Sequence, residues 1–240
     1  MEFIVYGGLG DQIAATAVVR KYKRAFPGEN VRIWEPRTRD VWRLNRHLNH
    51  GNGENGQRVG INLGVLGDAP GTDHAVDIMA RSLGVSAGDR TPEIILSDSE
   101  RVFERAGHRR IAFDPWAIAA GHWPIEKWNE VTRVLGLEYE VVEIGGGRPA
   151  GIGPVCSKSY YTRLNVRELA ALLETCNLYM GHDSAMFHLA AAVGTPQVVV
   201  FGSVPSYRRK YDTTIALDGL EKTSAETLLT EVHRVLESSR

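Results

Sequence analysis

Apolar residues along this chain fall into two kinds of stretch that keep alternating: short continuous runs, and longer segments with apolar positions at helical spacing. FIVY (3–6) is a short run that leads into Gly7-Gly8-Leu9-Gly10-Asp11. QIAATAVVRKYKRAF (12–26) then has helical periodicity and is stopped by Pro27-Gly28. VRIW (31–34), RVGINLG (58–64) and EIIL (93–96) read as strands, and NHGNGENGQ (49–57) as a polar, Gly-rich loop. Short helices are predicted over 38–48 and over HAVDIMARSLG (74–84). A further helix is predicted over SDSERVFERAG (97–107), with a serine or aspartate cap before it and a glycine at its end.

The second half repeats the alternation. IAFDPW (111–116) starts with a strand, and WPIEKWNEVTRVLG (123–136) is helical with Pro124 in its first turn. YEVVEIGGG (139–147) is a strand entering a glycine loop. NVRELAALLETC (165–176) is an amphipathic helix opened by Asn165 with Glu168 three residues on, the signature of a capping box. A last helix is predicted over SAETLLTEVHRVLESS (224–239). Strands alternating with helices imply an α/β fold with parallel sheets and right-handed crossovers. The pattern divides into two similar α/β units, 1–107 and 108–240, joined near 105–110.

Composition narrows the classes. The 240 residues are 43% hydrophobic and 24% charged, an ordinary globular profile. With 28 Lys and Arg against 29 Asp and Glu, the net charge of −1 gives no bulk attraction to nucleic acid or membrane. Cys156 and Cys176 form neither a disulfide framework nor a zinc pattern, and both are expected to be reduced. The chain enters a strand at once, with no signal-type segment and no 18-residue apolar stretch, so the expected compartment is the cytoplasm.

The chemistry concentrates in NLYMGHDSAMFHLAAAVGTPQVVVFGSV (177–204). This reads as a strand ending at Gly181, a polar turn through His182, Asp183 and Ser184, a helix carrying His188, and a second strand over 197–201. Free amides and the positive dipole end of a helix that follows a strand are how an open α/β sheet holds an anion.

The same stretch resembles the C-terminal signature of the heptosyltransferase-like glycosyltransferases, family nine. The matching residues are Gly181-His182-Asp183-Ser184, then His188-Leu189-Ala190-Ala191-Ala192-Val193-Gly194-Thr195-Pro196, then Phe201-Gly202. LGDQIAATAVVRKYKRAFP (9–27), HWPIEKWNEVTRVL (122–135) and LNVRELAALLETCNLYMG (164–181) are similar to other family stretches in the same order. The resemblance implies the GT-B fold, here in a compact version: two Rossmann-like domains facing across a cleft. The C-terminal domain would hold a nucleotide-diphosphate sugar and the N-terminal domain the acceptor. It also implies a metal-independent, inverting reaction with no cofactor beyond the nucleotide-sugar co-substrate, and no D-x-D motif occurs in the chain.

Site residues carry two readings each. By resemblance Asp11 is the general base; from its place at a strand-to-helix turn it also suits a helix cap. Gly8 and Gly10 permit close approach of a ligand or simply form the turn. The resemblance places Asp183 on the donor sugar and Ser184 with the nearby amides on the diphosphate; the pair also suits capping. His188 lies four positions after Ser184, on the same face, as a phosphate donor or a buried structural histidine. His182 lines the cleft on this reading. The resemblance sets Leu164 against the nucleotide base and Gly145 near the same pocket, and both also suit packing and turn roles. Trp123 and Trp128 are expected to pack their helix, Trp123 at the cleft edge.

The chain also departs from the family. Gly121 stands where the heptosyltransferases carry a phosphate-binding Lys, Trp116 to Ala120 lacks their hydroxyl residues, and Arg148-Pro149 replaces a ribose-binding Glu. Arg148, or the run Arg208-Arg209-Lys210, would have to supply the missing charge. With no membrane-facing segment in the N-terminal half, the expected acceptor is soluble: a small molecule, a peptide or a nucleic-acid base. Two other readings are a nucleotide-sugar epimerase or hydrolase of the same fold, and a nucleotide-sugar-binding protein that has lost catalysis.

Overall fold

The computed structural model describes residues 1–34, 38–49, 57–62, 73–104, 109–116, 121–146 and 156–238. The N-terminal half contributes β1 (Glu2–Val5), α1 (Leu9–Ala25), β2 (Arg32–Ile33), α2 (Arg39–Trp42), β3 (Arg58–Ile61) and α3 (Ala75–Ser82). The C-terminal half contributes β4 (Arg110–Asp114), α4 (Ile125–Leu135), β5 (Glu140–Glu143), β6 (Lys158–Ser159), α5 (Val166–Glu174), β7 (Leu178–His182), α6 (Ala185–Ala192), β8 (Gln197–Phe201), β9 (Thr214–Asp218) and α7 (Ala225–Ser238).

Strand order explains where a ligand can go. The small sheet runs β2-β1-β3 and the large one β6-β5-β4-β7-β8-β9, with every pair parallel. From β4 the chain moves outward to β5 and β6, then returns to β7 on the other side. The carboxyl ends of β4 and β7 therefore flank a topological switch point, where helices leave on opposite faces and open a crevice. The small sheet has its own switch point between β1 and β3. β7 and β8 are buried along their whole length, as apolar central strands with helices on both faces must be.

One face of the large sheet is covered by α4 and α7 around Trp123, Trp128, Leu135 and Leu228. On the other face α5 and α6 pack against α1 and α2, and a single apolar core runs from Phe3 and Ile13 in the first half to Leu172 and Phe187 in the second. Two contacts fix this union. Gly10 lies so close to α6 that a Cβ there would sit 2.8 Å from Cδ2 of His188. Arg167, on α5 and 4% exposed, crosses to the first half, where it donates to Glu100 and to the carbonyls of Asp40 (2.9 Å), Arg43 (3.3 Å) and Ile95 (2.6 Å).

The expected elements are present with local differences. Asn165 caps α5 by accepting from the amides of Arg167 and Glu168, while Glu168 returns the bond to Asn165 N. The strand expected at 93–96 joins no sheet. Its backbone is met by side chains instead, Glu93 N donating to Thr16 Oγ1 and Ile95 O accepting from Arg167. Of the helix expected at 97–107, the described residues 97–104 form only a single 3-10 turn, Asp98–Glu100, opened by Ser97. Its Glu100 is taken by Arg167, and Val102-Phe103 are adjacent rather than helically spaced. The helix expected over 38–48 is one turn, and VRIW pairs over only two residues. β6 and β9 had no strong apolar run to announce them. The proposed boundary at 107/108 and most of the 105–110 link lie outside the described residues, as do 63–64.

Because Arg167 satisfies one carboxylate and three carbonyls across the junction, Arg167→Ala should lower unfolding stability by about 3 kcal/mol. A urea titration checks this, and a loss below about 1 kcal/mol would contradict it.

Candidate active site

The two switch points open into one cleft of about 680 Å³, lined from both halves. Gly8, Leu9, Gly10 and Asp11 reach it from the start of α1; Asp183, Ser184, Ala185 and His188 from the start of α6. Asp114 ends β4 and Trp116 follows it, Gly145 and Gly146 follow β5, and Thr162 with Leu164 precedes α5. Two helix N-termini thus point their free amides at one space.

The N-cap of α1 is Gly8, not Asp11. Asp11 is three residues into the helix and its Oδ2 accepts from Gly8 N at 2.9 Å. The turn needs Gly7 at φ +102, where a Cβ would fall 2.2 Å from Asp11 Oδ2. A carboxylate has about four acceptor positions, so one bond to the backbone leaves capacity for a hydroxyl in the cleft.

Ser184 caps α6, accepting from Met186 N at 3.2 Å. Its own proton goes to Asp114 Oδ2 at 2.7 Å. Asp114 is the last residue of β4, 2% exposed, and its Oδ1 accepts from Trp116 N at 3.2 Å. Burial pushes the Asp114 acid up to about 7, with the Glu143 carboxylate adding and the Ser184 and Trp116 bonds opposing. Gly145 makes room for it, since a Cβ there would meet Asp114 Oδ1 at 2.6 Å.

Asp183 is also shifted upward, first by burial, with Arg209 opposing and Asp11 adding. His188 is buried, and desolvation with nearby Arg209 and His74 holds it neutral, well below the usual histidine range. Its Nδ1 lies 2.6 Å from Tyr211 Oη and its Nε2 3.8 Å from Asp183 Oδ1. A charged imidazolium is therefore not what this site offers. Arg209, following the 3-10 turn Ser206–Arg208, supplies a cation to the lining; Arg208 and Lys210 are not part of it. Ser206 fixes that turn by donating from N and Oγ to Asp218 at 2.9 and 2.7 Å.

The structure brings together Asp11, Gly8, Gly10, Asp183, Ser184, His188, Leu164 and Gly145. It leaves Gly181 and His182 off the lining. His182 is fully buried, accepting from Trp123 N at 3.2 Å through Nε2 and bonding the Val200 carbonyl at 3.2 Å through Nδ1, so it packs the core instead of facing the cleft. Gly181 sits inside β7 against the Tyr179 hydroxyl and the Asp114 carbonyl. Trp123 is likewise core, 1% exposed with Nε1 donating to Thr223 O at 3.1 Å. Gly121, at φ +82 against Leu220, is not part of the lining. Gly147, Arg148 and Pro149 lie outside the described residues. Sequence reasoning passed over Asp114, Trp116 and Thr162. A lone acid closing an apolar strand was the available signal for Asp114. Nothing marks Thr162, which holds φ +53 at the cleft wall, a conformation side chains rarely adopt.

Comparison with known proteins gives the family and the fold. The family described as glycosyltransferase family 9 (heptosyltransferase) matches residues 69–211. The lipopolysaccharide heptosyltransferase 1 of Campylobacter coli is 36% identical over 99 residues, which cover 38% of this chain and 27% of that protein's length. The structure of the E. coli ADP-heptose lps heptosyltransferase II superposes with a TM-score of 0.73 at 14% identity, covering 100% of this chain and 99% of that one. The glycosyl transferase family 9 structure from Veillonella parvula gives a TM-score of 0.75 at 17% identity, covering 99% and 97%. The two facing sheets are the GT-B arrangement. No helix among the described residues is long and apolar enough to cross a membrane.

A buried acid raised to about 7 destabilises the fold when ionised. The folded state holds its proton more tightly than the unfolded state, so this contribution is small near pH 4, grows as pH rises from the ordinary carboxyl range toward 7, and levels off above it. Asp114→Asn, which keeps the bonds to Ser184 and Trp116, should be more stable than wild type by about 1–2 kcal/mol near pH 8. The gain should shrink near pH 5. Melting curves at both values check this, and an equal gain at both would contradict it.

Proposed function

The chain belongs to glycosyltransferase family 9, the heptosyltransferases, and on that premise we propose that it transfers a sugar from a nucleotide-diphosphate sugar to a hydroxyl acceptor, by inversion and without a metal. The observation that carries this reading is the convergence of two helix N-termini, with Asp11 on one and Asp183 on the other, in a single cleft. One terminus faces a leaving diphosphate while the other presents a base.

Asp11 takes the proton of the acceptor hydroxyl as its oxygen attacks the anomeric carbon. The C–O bond to the acceptor forms as the bond to the diphosphate breaks on the opposite face. The amides of α6 and the guanidinium of Arg209 receive the charge that develops on the leaving oxygens. Arg209 is the cation that offsets the Gly121 departure, because it lines the cleft while Gly121 does not. Asp183 serves the sugar hydroxyls; beside a diphosphate its charge would repel. Neutral His188 meets the Tyr211 hydroxyl through Nδ1 and the Asp183 carboxyl through Nε2, and so holds Asp183 in place. Gly145, Gly146 and Leu164 form the wall against the base. The donor of the E. coli relative, ADP-heptose, is one choice among nucleoside diphosphate sugars, and the acceptor is a soluble molecule.

A thermal-shift panel of ADP, GDP, UDP, TDP and CDP tests the donor cleft. One of them should raise the melting temperature, since a ligand bound only by the folded state stabilises it; no shift with any of them would contradict the reading. Asp11→Asn should lower turnover by about 100-fold or more while nucleotide binding changes only a few-fold. Arg209→Gln should weaken nucleotide binding by about 10-fold or more. Full turnover in Asp11→Asn would leave Asp11 as a cap alone.

A further inference from the structure

We propose that Asp114 is a positioning residue whose protonation turns the Ser184 hydroxyl toward the donor diphosphate, so that the cleft takes up one proton as a nucleotide sugar binds. This rests on the donor reading above and adds a condition to it.

The argument is a count of hydrogen-bond capacity. A serine hydroxyl has one proton and two lone pairs. Ser184 Oγ accepts from Met186 N to cap α6, and its single proton is given to Asp114 Oδ2 at 2.7 Å. While Asp114 is ionised, Ser184 has nothing left to donate to a phosphate. The Tyr179 hydroxyl, 3.4 Å from Ser184 Oγ and directed at the His182 carbonyl at 3.5 Å, is a longer and weaker alternative acceptor for that proton than a phosphate oxygen. Once Asp114 Oδ2 carries a proton taken from solvent, the same short contact reverses. Asp114 donates to Ser184 Oγ, the cap to Met186 N stays, and the serine proton is released toward the cleft. No other bond is made or broken.

The surroundings favour that proton on Asp114 when an anion enters. Below it on β5 lies Glu143, fully buried and already accepting from Trp116 Nε1 at 3.3 Å and Ser159 Oγ at 2.6 Å. Beside it on β7 is Tyr179, buried and held protonated. Across the cleft stand Asp11 on α1 and Asp183 and His188 on the α6 side, with Arg209 as the cation. Among the described residues the lining therefore holds three acids against one guanidinium and two helix N-termini. A diphosphate adds further negative charge, and the group that can relieve it near neutral pH is the buried acid already poised at about 7. His188 is neutral and bonded to Tyr211. Asp183, also raised by burial, is the competing proton acceptor, and the test separates the two.

Isothermal titration with ADP-glucose, GDP-glucose and UDP-glucose provides the test, because a sugar-linked diphosphate has no phosphate that titrates near neutral pH. Heats measured in buffers of different ionisation enthalpy give the proton count. For wild type, binding near pH 8 should take up close to one proton, and affinity should fall by up to about tenfold per pH unit above about 7. Asp114→Asn, whose amide donates to Ser184 at every pH, should abolish the uptake and hold affinity within about threefold between pH 6 and pH 8. Ser184→Ala should weaken binding more at pH 6 than at pH 8. Retained proton uptake in Asp114→Asn would assign the proton to Asp183 and overturn the proposal. So would a wild type that binds with no uptake, or an equal Ser184→Ala loss at both pH values. Absence of binding at pH 6 by all three, and by TDP-glucose and CDP-glucose as well, would overturn the donor reading itself, and this inference with it.

Discussion

The close approach of Gly10 to His188 is the constraint on which the site depends. With any side chain at position 10, α1 and α6 would have to separate, because the ring it meets is buried and tied to Tyr211. Bare Cα against imidazole lets the first turns of both helices open on the same space. Each helix begins with amides that its own ladder cannot satisfy, so the packing contact concentrates their positive ends in one place. The Arg167 bonds hold the halves at that separation from the far side of α5.

This arrangement gathers acids as well as amides. Asp11, Asp114 and Asp183 share the cleft with Arg209, and each carboxyl is settled differently. Asp11 is bonded to the turn before its helix, Asp114 is buried against Ser184, and Asp183 lies opposite Arg209 and the His188 ring. Burial pushes Asp114 and Asp183 alike toward the protonated form, against the helix amides and Arg209. The burial that raises Asp114 is a cost to the fold that the site keeps.

Much of this could be read from the chain. The strand–helix alternation gives the parallel sheets, and the Asn165–Glu168 pair gives the start of α5, because those signals are local. The cluster of Asp183, Ser184 and His188 could be located because a helix N-terminus after an apolar strand announces itself. What stayed hidden depends on tertiary contact. His182 looks the equal of Asp183 in sequence, yet strand alternation turns it into the core under Trp123. EIIL has a strand's composition but lies between helices, where side chains take its backbone bonds. Asp114 stands seventy positions from Ser184, and only the neighbouring register of β4 and β7 brings them together. Arg209 could not be singled out from Arg208 and Lys210 until the turn held by Asp218 showed which of them lines the cleft.

The claim that two helix N-termini serve one anionic ligand is tested most directly by hydrogen exchange with and without a saturating nucleotide sugar. The first amides of a helix lack intrahelical partners and exchange readily until something accepts from them. The account predicts that exchange slows together at Leu9–Asp11 and at Ala185 and Phe187, the first-turn amides without an acceptor in the helix or its cap. Protection confined to one of these segments, or found only elsewhere, would contradict it.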